Sequence, residues 1–417
     1  MNIEDTNSHW KWNMFLMWSS QLLVLAGFAA VMPFIPLFLK DELGITDEGT
    51  RGVWMSAFYF FGTLGYGIFC PIWGVLSDRF GVKPMLLRGT FGTTLLFPLM
   101  AYVGSPWLLV LLRFISAACA GTTAASQTLL VKNTPENKQG FALGVLSTAI
   151  WGGTMLGNVI GGIVVHHYGY KFTFITCGAM YFVAGFIVLL AHEDFKPTVK
   201  AAAAKSSGWL GGIPKFTTAV WMILGLMFFT GFVRFFEIPY LAMLIEQITG
   251  DREAAYWTGI ISGFVAVGAL LSGMLTGYLS DRIKPLYILA PSFIILVITM
   301  LIQTFSKDLL TFGVSRTIMY LAAGGTASVL QKLLSAATPK RKRGAVFGFA
   351  TTANSSGIML STAAAGAVIY MGGVRSVFLV AAILSGLLIP CYFLVIKRIM
   401  CQPYFASQYQ KIMSRKK

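Results

Sequence analysis

The chain has 417 residues and a formal net charge of +16, from 32 lysines and arginines against 16 aspartates and glutamates. Hydrophobic residues make up 56% of it and charged residues only 12%, about half the charged share of an ordinary soluble domain. So little charge excludes intrinsic disorder and argues against a soluble enzyme, because the chain could not cover a water-facing surface.

Twelve apolar runs are long enough to cross a membrane. A helix needs roughly 20 apolar residues to span about 30 Å of hydrocarbon. The runs are continuous rather than alternating, which favours helices over barrel strands. In chain order they cover residues 14–39, 53–76, 85–104, 106–131, 141–165, 172–191, 219–245, 256–279, 286–304, 309–334, 344–371 and 376–396. The sequence therefore predicts an all-α membrane protein with twelve transmembrane helices.

The positive charges orient these spans. With the N-terminus placed in the cytoplasm, 23 lysines and arginines fall in inner segments, 6 in outer segments and 3 inside spans. This bias follows the positive-inside rule, so we expect a multi-pass plasma-membrane protein with both termini in the cytoplasm. The basic residues are spread over short loops, so a nucleic-acid partner is not indicated.

The chain repeats itself weakly. The segment Gly74–Arg79 recurs 203 residues later as Gly277–Arg282, and Arg113 recurs at the same offset as Arg316. Two six-helix halves related in this way are a known plan of secondary transporters, whose substrate site lies between the halves near mid-membrane. The predicted division is an N-terminal half (1–191), a cytoplasmic linker (192–218) and a C-terminal half with a short basic tail (219–417).

The loop after the second span carries the most specific motif. Residues 74–83 read GVLSDRFGVK and resemble the loop signature G-x-L-x-D-R-x-G-R-K of the major facilitator superfamily, departing from it at Val82. Gly27, Pro33 and Pro36 in the first span and Arg113 in the fourth are similar to motifs of its twelve-helix drug:proton antiporters. Residues 9–13 and 140–162 most resemble the multidrug efflux members.

This resemblance implies the major facilitator fold, transport by alternating access, and a loop that holds one conformation closed. We call that loop and its repeat the latch. Its residues would be Gly74, Asp78, Arg79, Gly81, Lys83, Gly277, Asp281 and Arg282. Gly74 and Gly277 would permit close helix approach, and the alternative for Asp78 is a solvated turn charge. Asn158 stands where the antiporter motif of span 5 has proline, which leaves the direction of transport open.

Four ionisable residues lie well inside the spans: Arg113, Arg234, Glu237 and Arg316. Charges are costly there, which makes each a functional candidate. Glu237 is the only acid so placed, and Arg234, three residues earlier, is expected on the same helix face. A buried carboxylate beside an arginine can exchange a proton or meet a cationic substrate. The alternative is a permanent Arg234–Glu237 ion pair that only joins helices.

Aromatic and methionine residues near these charges predict an apolar cavity. The predicted lining is Phe28, Met32, Phe34, Phe235, Phe236 and Tyr240, with Trp151, Asn158 and Asn354 as polar groups. Such a lining suits amphipathic substrates better than sugars, although simple packing is the alternative for each residue. The glycines of span 5 and the small residues of span 11 are expected to let helices of the two halves touch.

The sequence therefore predicts proton-coupled export of amphipathic or hydrophobic small molecules. A lipid or glycolipid flippase, or a metabolite exporter of the same superfamily, is the alternative. The partners are the small-molecule substrate, protons and membrane lipids, and we expect a monomer. The sequence contains no P-loop or intramembrane catalytic motif, and His166-His167 lacks an acidic cluster, so we expect no ATP use, enzyme activity, cofactor or metal.

Overall fold

The computed structural model describes residues 9–135, 138–193, 216–280, 282–283, 285–338 and 343–400. Within these ranges all regular structure is helical and no strand is present. The α-helices are α1 (His9–Val31), α2 (Ile35–Asp41), α3 (Glu48–Phe80), α4 (Val82–Met100), α5 (Pro106–Cys119), α6 (Thr122–Asn133), α7 (Gln139–Leu189), α8 (Thr218–Arg234), α9 (Leu241–Thr249), α10 (Asp251–Ser280), α11 (Pro285–Phe305), α12 (Leu309–Ala323), α13 (Thr326–Ala337) and α14 (Arg343–Met400).

Eight helical stretches in the described part are long and apolar enough to cross a membrane. They are Trp10–Asp41, Glu48–Ser77, Pro106–Asn133, Gln139–Leu189, Thr218–Thr249, Glu253–Ser280, Pro285–Phe305 and Val346–Ile399. The fourth and eighth have 51 and 54 residues, more than twice the roughly 20 that one crossing needs. The predicted count of twelve spans stays a prediction.

Each of these two long stretches is interrupted by a glycine with positive φ. Gly169 has φ 82° and ψ 175°, and Gly373 has φ 74° and ψ 179°. Glycine adopts this conformation without the steric cost that a Cβ brings. The two interruptions fall between the runs 141–165 and 172–191 and between 344–371 and 376–396, where the apolar pattern predicts separate helices.

Prolines break two other helical stretches near their middle. Pro33 lies in a 3-10 turn, Met32–Phe34, between α1 and α2. Pro239 lies in a second 3-10 turn, Ile238–Tyr240, between α8 and α9. Proline has no N–H to donate and its ring collides with the preceding turn, so a regular helix cannot continue through either position.

The residues group into two compact units. The first unit comprises residues 1–44, 61–214 and 255–263, and the second comprises 45–60, 215–254 and 264–417. Residues 48–60 of α3 therefore group with the second unit and the rest of α3 with the first, and residues 255–263 of α10 group with the first unit and the rest of α10 with the second. The division at a linker over 192–218 remains a prediction, since residues 194–215 lie outside the described part.

Each unit has its own apolar core. In the first unit, α1, α4, α6 and α7 contribute buried residues such as Met17, Leu86, Leu129 and Leu146. The larger core of the second unit lies among α8, α11, α13 and α14. Its fully or almost fully buried members include Ile223, Leu289, Phe293, Leu334 and Val346.

A glycine stripe on α7 determines how closely α1 packs. A Cβ at Gly153 would lie 2.5 Å from the Leu22 carbonyl oxygen, and Cβ atoms at Gly157 and Gly161 would lie closer still to α1 carbonyls. The expectation that the span-5 glycines join the two sequence halves is therefore wrong for these three, which pack on α1. Gly162 points elsewhere, since its Cβ would meet Gly259 of α10 at 2.9 Å.

The predicted orientation can be tested by labelling single cysteines in a cysteine-free variant. Thr46 is exposed in the connection between α2 and α3. A cysteine there should react with a membrane-impermeant maleimide applied from outside, because the basic residues favour the opposite side of the membrane. A cysteine at Lys205 should react only after permeabilisation, and both should label in detergent. The reverse pattern would contradict the orientation.

Candidate functional site

Glu237 lies at a break in the chain rather than on a helix face. Helix α8 ends at Arg234, and Glu237 precedes the 3-10 turn that contains Pro239. Because Pro239 cannot donate the N–H that would extend the helix, the three-residue spacing no longer places side chains on one face. Arg234 and Glu237 therefore do not share a helix, contrary to the expectation, although both side chains face the cavity described below. The Glu237 side chain is completely buried.

The partner of Glu237 is Arg316 of α12. Arg316 Nη2 lies 2.6 Å from Glu237 Oε2, and both side chains are about 1% exposed. Arg316 Nη1 also donates to Gln303 Oε1 at 3.0 Å, and Gln303 on α11 is fully buried. Three buried polar groups from three segments thus form one network. Removing one member of a buried ion pair typically lowers the free energy of unfolding by about 3–5 kcal/mol.

A cavity of about 230 Å³ lies beside this network in the second unit. Seven residues line it: Arg234, Glu237, Leu296, Met300, Met319, Tyr320 and Ala323. Only the first two were predicted as site residues. The other five come from α11 and α12, whose long apolar stretches do not reveal which side faces Glu237. Gln303 was also missed, although a lone amide in an apolar run is a usable signal.

Arg234 also lines the cavity, and no carboxylate forms an ion pair with it in the described part of the chain. Its Nη1 donates to the Gly324 carbonyl oxygen at 3.4 Å, and its guanidinium lies 5.9 Å from the centre of the Tyr320 ring. The Gly324 carbonyl is accessible because α12 ends at Ala323. The proposed permanent Arg234–Glu237 ion pair is therefore absent from this structure.

The other predicted lining residues of the second unit pack against helices instead of lining this cavity. Phe236 lies against Phe232, and Phe235 meets the Tyr59 ring edge-on with centres 5.8 Å apart. Tyr240 is fully buried, and its hydroxyl shares a hydrogen bond with the Ser56 hydroxyl. The amide of Asn354 donates to the Met227 carbonyl at 3.3 Å.

In the first unit, Arg113 lies near Phe28. Its guanidinium is 5.2 Å from the centre of the Phe28 ring. Gly62 leaves room for it, because a Cβ at Gly62 would lie 2.6 Å from Arg113 Nε. This places Arg113 and Phe28 together as predicted candidates, with a cation–π geometry that stabilises a charge away from water.

The remaining first-unit candidates are dispersed. Met32 and Phe34 are buried, and Phe34 helps to line a second, apolar cavity of about 170 Å³. Trp151 is 43% exposed. Asn158 is buried, and its Nδ2 donates to the Ser262 carbonyl of α10 at 3.4 Å. Asn158 therefore fixes a contact between helices.

The latch segment is held by an unpredicted residue, Glu193. Gly81, with φ 97°, is the residue directly before α4. The backbone N–H groups of Val82 and Lys83 donate to the Glu193 carboxylate at 2.8 and 2.7 Å. Lys83 Nζ donates in turn to the carbonyls of Leu189 and Ala191, both at 2.8 Å. A carboxylate at a helix N-terminus is favourable, since it satisfies N–H groups that the helix leaves unpaired.

The other predicted latch residues fall into two groups: two arginines that lie over aromatic rings, and a glycine that contacts no helix. Arg79 lies over the Phe80 ring at 5.3 Å, and Arg282 over the Tyr278 ring at 4.3 Å. The expected close helix approach at Gly74 is wrong, since a Cβ there would meet no atom within 4 Å. The environments of Asp78, Gly277 and Asp281 lie outside the described part.

Asp78→Asn should abolish transport while leaving expression near normal. Asp78 precedes the last residue of α3 by two positions, and we expect its charge to make a contact of the closed conformation there, so that its loss creates no packing defect. Transport into vesicles, set against protein level in the membrane, measures this. Asp308→Asn is the control. Asp308 caps the start of α12 by accepting a hydrogen bond from the Thr311 backbone N–H at 2.7 Å, and asparagine caps a helix as well as aspartate does. Unchanged transport by Asp78→Asn would make Asp78 a solvated turn residue.

The described residues contain no group of three or more histidines, cysteines or acids that could hold a metal ion. The rings of His166 and His167 meet edge to face with their centres 4.9 Å apart. The centre of the His166 ring also lies 5.8 Å from the centre of the Tyr256 ring. Four cysteines in the described part, Cys70, Cys119, Cys177 and Cys391, are free thiols.

Membrane-length helices with a buried charge network are typical of a transporter. Comparison with known protein families identifies the class of transporter directly. Residues 17–302 and 223–400 match the family described as Major Facilitator Superfamily. The match covers most of the chain, and the protein therefore belongs to the major facilitator superfamily. It is a multi-pass membrane transporter and not an enzyme, which confirms the expectation from the loop motif.

Within the superfamily the chain is similar to multidrug resistance proteins. MdtG of Klebsiella pneumoniae (strain 342) is 29% identical over 387 residues, which cover 92% of this chain and 93% of that protein. MdtG of Escherichia coli O1:K1 / APEC is 29% identical over 383 residues, with 91% and 93% covered. The predicted resemblance to the multidrug efflux branch is confirmed.

Solved structures show the same fold at low identity. A bacterial homologue of the human lysosomal transporter Spinster, inward-facing and unoccupied, superposes with a TM-score of 0.73 at 14% identity, covering 96% of this chain and 98% of that one. A mutant of the nucleoside transporter NupG gives 0.74 at 10% identity, covering 92% and 99%. At these identities the likeness concerns the fold alone.

Proposed function

We propose that the protein is a proton-coupled exporter of amphipathic or hydrophobic small molecules, working by alternating access in the plasma membrane. In this proposal twelve helices cross the membrane and both termini are cytoplasmic. The similarity to MdtG multidrug resistance proteins over nine-tenths of the chain supports multidrug efflux. The coupling itself is argued from the site.

The observation that carries the proposal is the buried Glu237–Arg316 pair at the wall of a cavity. Protonating Glu237 would remove its charge and leave the Arg316 guanidinium without its counter-ion in a low-dielectric environment, which costs several kcal/mol. A different arrangement of α8 and α12 that gives Arg316 another partner would lower this cost. Proton binding would therefore favour one conformation over another, which is what coupling requires.

Gln303 has a place in this scheme. Because Arg316 Nη1 already donates to Gln303 Oε1, the amide holds the guanidinium in position whether or not Glu237 is ionised. We treat Gln303 as a positioning residue for the coupling pair. Arg113, on the first unit, stays a candidate cavity residue.

A lipid or glycolipid flippase, or a metabolite exporter, is the second candidate. Asn158 in place of the proline of the antiporter motif favours it, because that motif is associated with exchange. A flippase that moves no proton should tolerate the loss of Glu237, whereas the proposed exporter should not.

Transport in proteoliposomes under an imposed pH gradient tests the proposal. A hydrophobic dye should move against its gradient when the proton gradient is present, and a protonophore should stop it. Labelled lipids and polar metabolites are assayed in the same vesicles. Dye movement that ignores the pH gradient, or movement of labelled lipid alone, would contradict proton-coupled export.

A further inference from the structure

We propose that residues 48–59, at the start of α3, form a strap that the second unit holds and that must detach once in every transport cycle. The inference rests on the proposed function, since a transporter that works by alternating access has to release such a contact. It assigns a conformational role to Glu48, Arg51 and Glu246, which belong neither to the predicted latch nor to the lining of the cavity beside Glu237.

The strap belongs to a different unit from the rest of its helix. Residues 45–60 group with the second unit, whereas α3 continues from residue 61 in the first. The apolar pattern predicts that residues 53–76 form one span of an N-terminal half, so the position of the strap is a property of the tertiary structure. Contacts between elements so distant in sequence are the ones that a conformational change can make and break.

Glu48 caps a helical segment that begins 326 residues later in the chain. The chain turns at Gly373, with φ 74°, and the backbone N–H of the next residue, Val374, donates to Glu48 Oε1. Glu48 Oε2 accepts a second hydrogen bond, from Gln247 Nε2 of α9 at 3.0 Å. A carboxylate is favourable at such a position because it satisfies an N–H group that the helix leaves unpaired. The strap thus supplies a helix cap that departs when it detaches.

Arg51 and Glu246 form a buried ion pair one turn further along the strap. Arg51 Nη1 lies 2.8 Å from Glu246 Oε2 and 3.2 Å from Glu246 Oε1, and both side chains are 7% exposed. Glu246 belongs to α9. Detachment would return both charges to water, which recovers their desolvation penalty and offsets the lost attraction. Such a pair fixes the attached position and still permits release.

Close packing against α14 makes the contact sensitive to small displacements. A Cβ at Gly52 would lie 2.3 Å from Ile369 Cγ2, and a Cβ at Gly366 would lie 2.2 Å from Ser56 Oγ. The Ser56 hydroxyl also shares its hydrogen bond with the Tyr240 hydroxyl. Small residues on both sides let the two helices approach closely, and contacts of such short range are lost together when the helices part.

Disulfide trapping tests whether the strap must detach. Gly49 and Tyr370 are replaced by cysteine in the cysteine-free variant. A Cβ at Gly49 would lie 3.4 Å from the Tyr370 Cα, which is within reach of a disulfide. We expect oxidation to cross-link the pair and stop downhill dye movement in proteoliposomes, and reduction to restore it. The reduced protein and the two single-cysteine variants are the controls.

Labelling of a Ser56→Cys reporter measures how often the strap is open. Ser56 is 7% exposed, so a maleimide should react slowly with a cysteine there in the purified protein in detergent. Adding Glu48→Ala should raise the rate about fivefold, which corresponds to the loss of a helix cap. Asp308→Ala is the matched control, because it removes the carboxylate cap of α12 in the same unit, and it should leave the rate within about twofold.

Variants of the ion pair are tested with the same reporter. Arg51→Gln should raise the labelling rate about tenfold or more, because the attached strap then leaves Glu246 buried without this partner. The exchange Arg51→Glu/Glu246→Arg should bring the rate back to within about threefold of the parent, since the pair is restored with its charges reversed. Size-exclusion profiles confirm that the variants are folded.

The inference is overturned if the Gly49→Cys/Tyr370→Cys pair does not cross-link, if the cross-linked protein transports as well as the reduced one, if Glu48→Ala and Asp308→Ala label at equal rates, or if the charge exchange restores nothing. The labelling assay contains neither substrate nor pH gradient, so the strap can be demonstrated even where proton-driven export fails. Conversely, pH-driven accumulation by the cross-linked protein would leave proton-coupled export standing and overturn this inference alone.

Discussion

Glu237→Gln should abolish pH-gradient-driven accumulation of substrate while downhill movement continues. The substitution keeps the shape of the side chain and removes the group that we propose binds the coupling proton. One proton crossing 100 mV contributes about 2.3 kcal/mol, so its loss should remove close to a 50-fold concentration ratio. Proteoliposome uptake with and without an imposed gradient measures both quantities.

The same variant should also lose stability, because Arg316 is left buried without its carboxylate. We expect a loss of about 3–5 kcal/mol, seen as a lower unfolding temperature in detergent. The double variant Glu237→Gln/Arg316→Gln should recover most of it, since neither charge is then unpaired. This double variant separates the two roles, because it should be stable and still uncoupled.

If Glu237→Gln accumulated substrate as well as the parent protein, the coupling group would lie elsewhere. The next acids to test are Asp41 and Glu42 at the C-terminal end of α2. Asp41 accepts a hydrogen bond from the Tyr170 hydroxyl at 2.6 Å, and Glu42 pairs with Lys171 at 3.2 Å. The Glu237–Arg316 pair would then be a purely structural contact.

Gly157→Leu should prevent normal folding. A Cβ at this position would overlap the Ala26 carbonyl of α1, so any larger side chain must push α1 away from α7. Overpacking typically costs 1–3 kcal/mol, and because two rigid backbones meet here we expect about 3 kcal/mol or more. The yield of monodisperse protein and its unfolding temperature report the effect.

The neighbouring glycine on the same helix provides the matched control. A Cβ at Gly152 would meet no atom within 4 Å. Gly152→Ala should therefore change stability by about 1 kcal/mol or less, in the favourable direction, since alanine is the better helix former. Equal loss of protein in both variants would mean that the glycines serve helix flexibility and not the contact with α1.

Several features could be predicted because they depend on composition and local pattern. Low charge and long apolar runs are sufficient to predict membrane helices, because the hydrocarbon core of a bilayer favours apolar side chains and requires every backbone N–H and C=O to be hydrogen-bonded within the chain. The interruptions at Gly169 and Gly373 lie between apolar runs, and the signature at residues 74–83 indicates the superfamily. Glu237 could also be singled out, because it is the lone acid deep in a predicted span. Burying a charge in the membrane costs free energy, so such a residue usually has a function.

The partners of these residues depend on the tertiary structure. Glu237 pairs with Arg316, 79 residues away, and not with Arg234 three residues away, because Pro239 ends the helical spacing on which a local pairing depends. The glycines of α7 face α1, and α11 and α12 supply the cavity wall. Helices that are apolar on every side carry no pattern that marks the contacting face, so only their packing decides which residues meet.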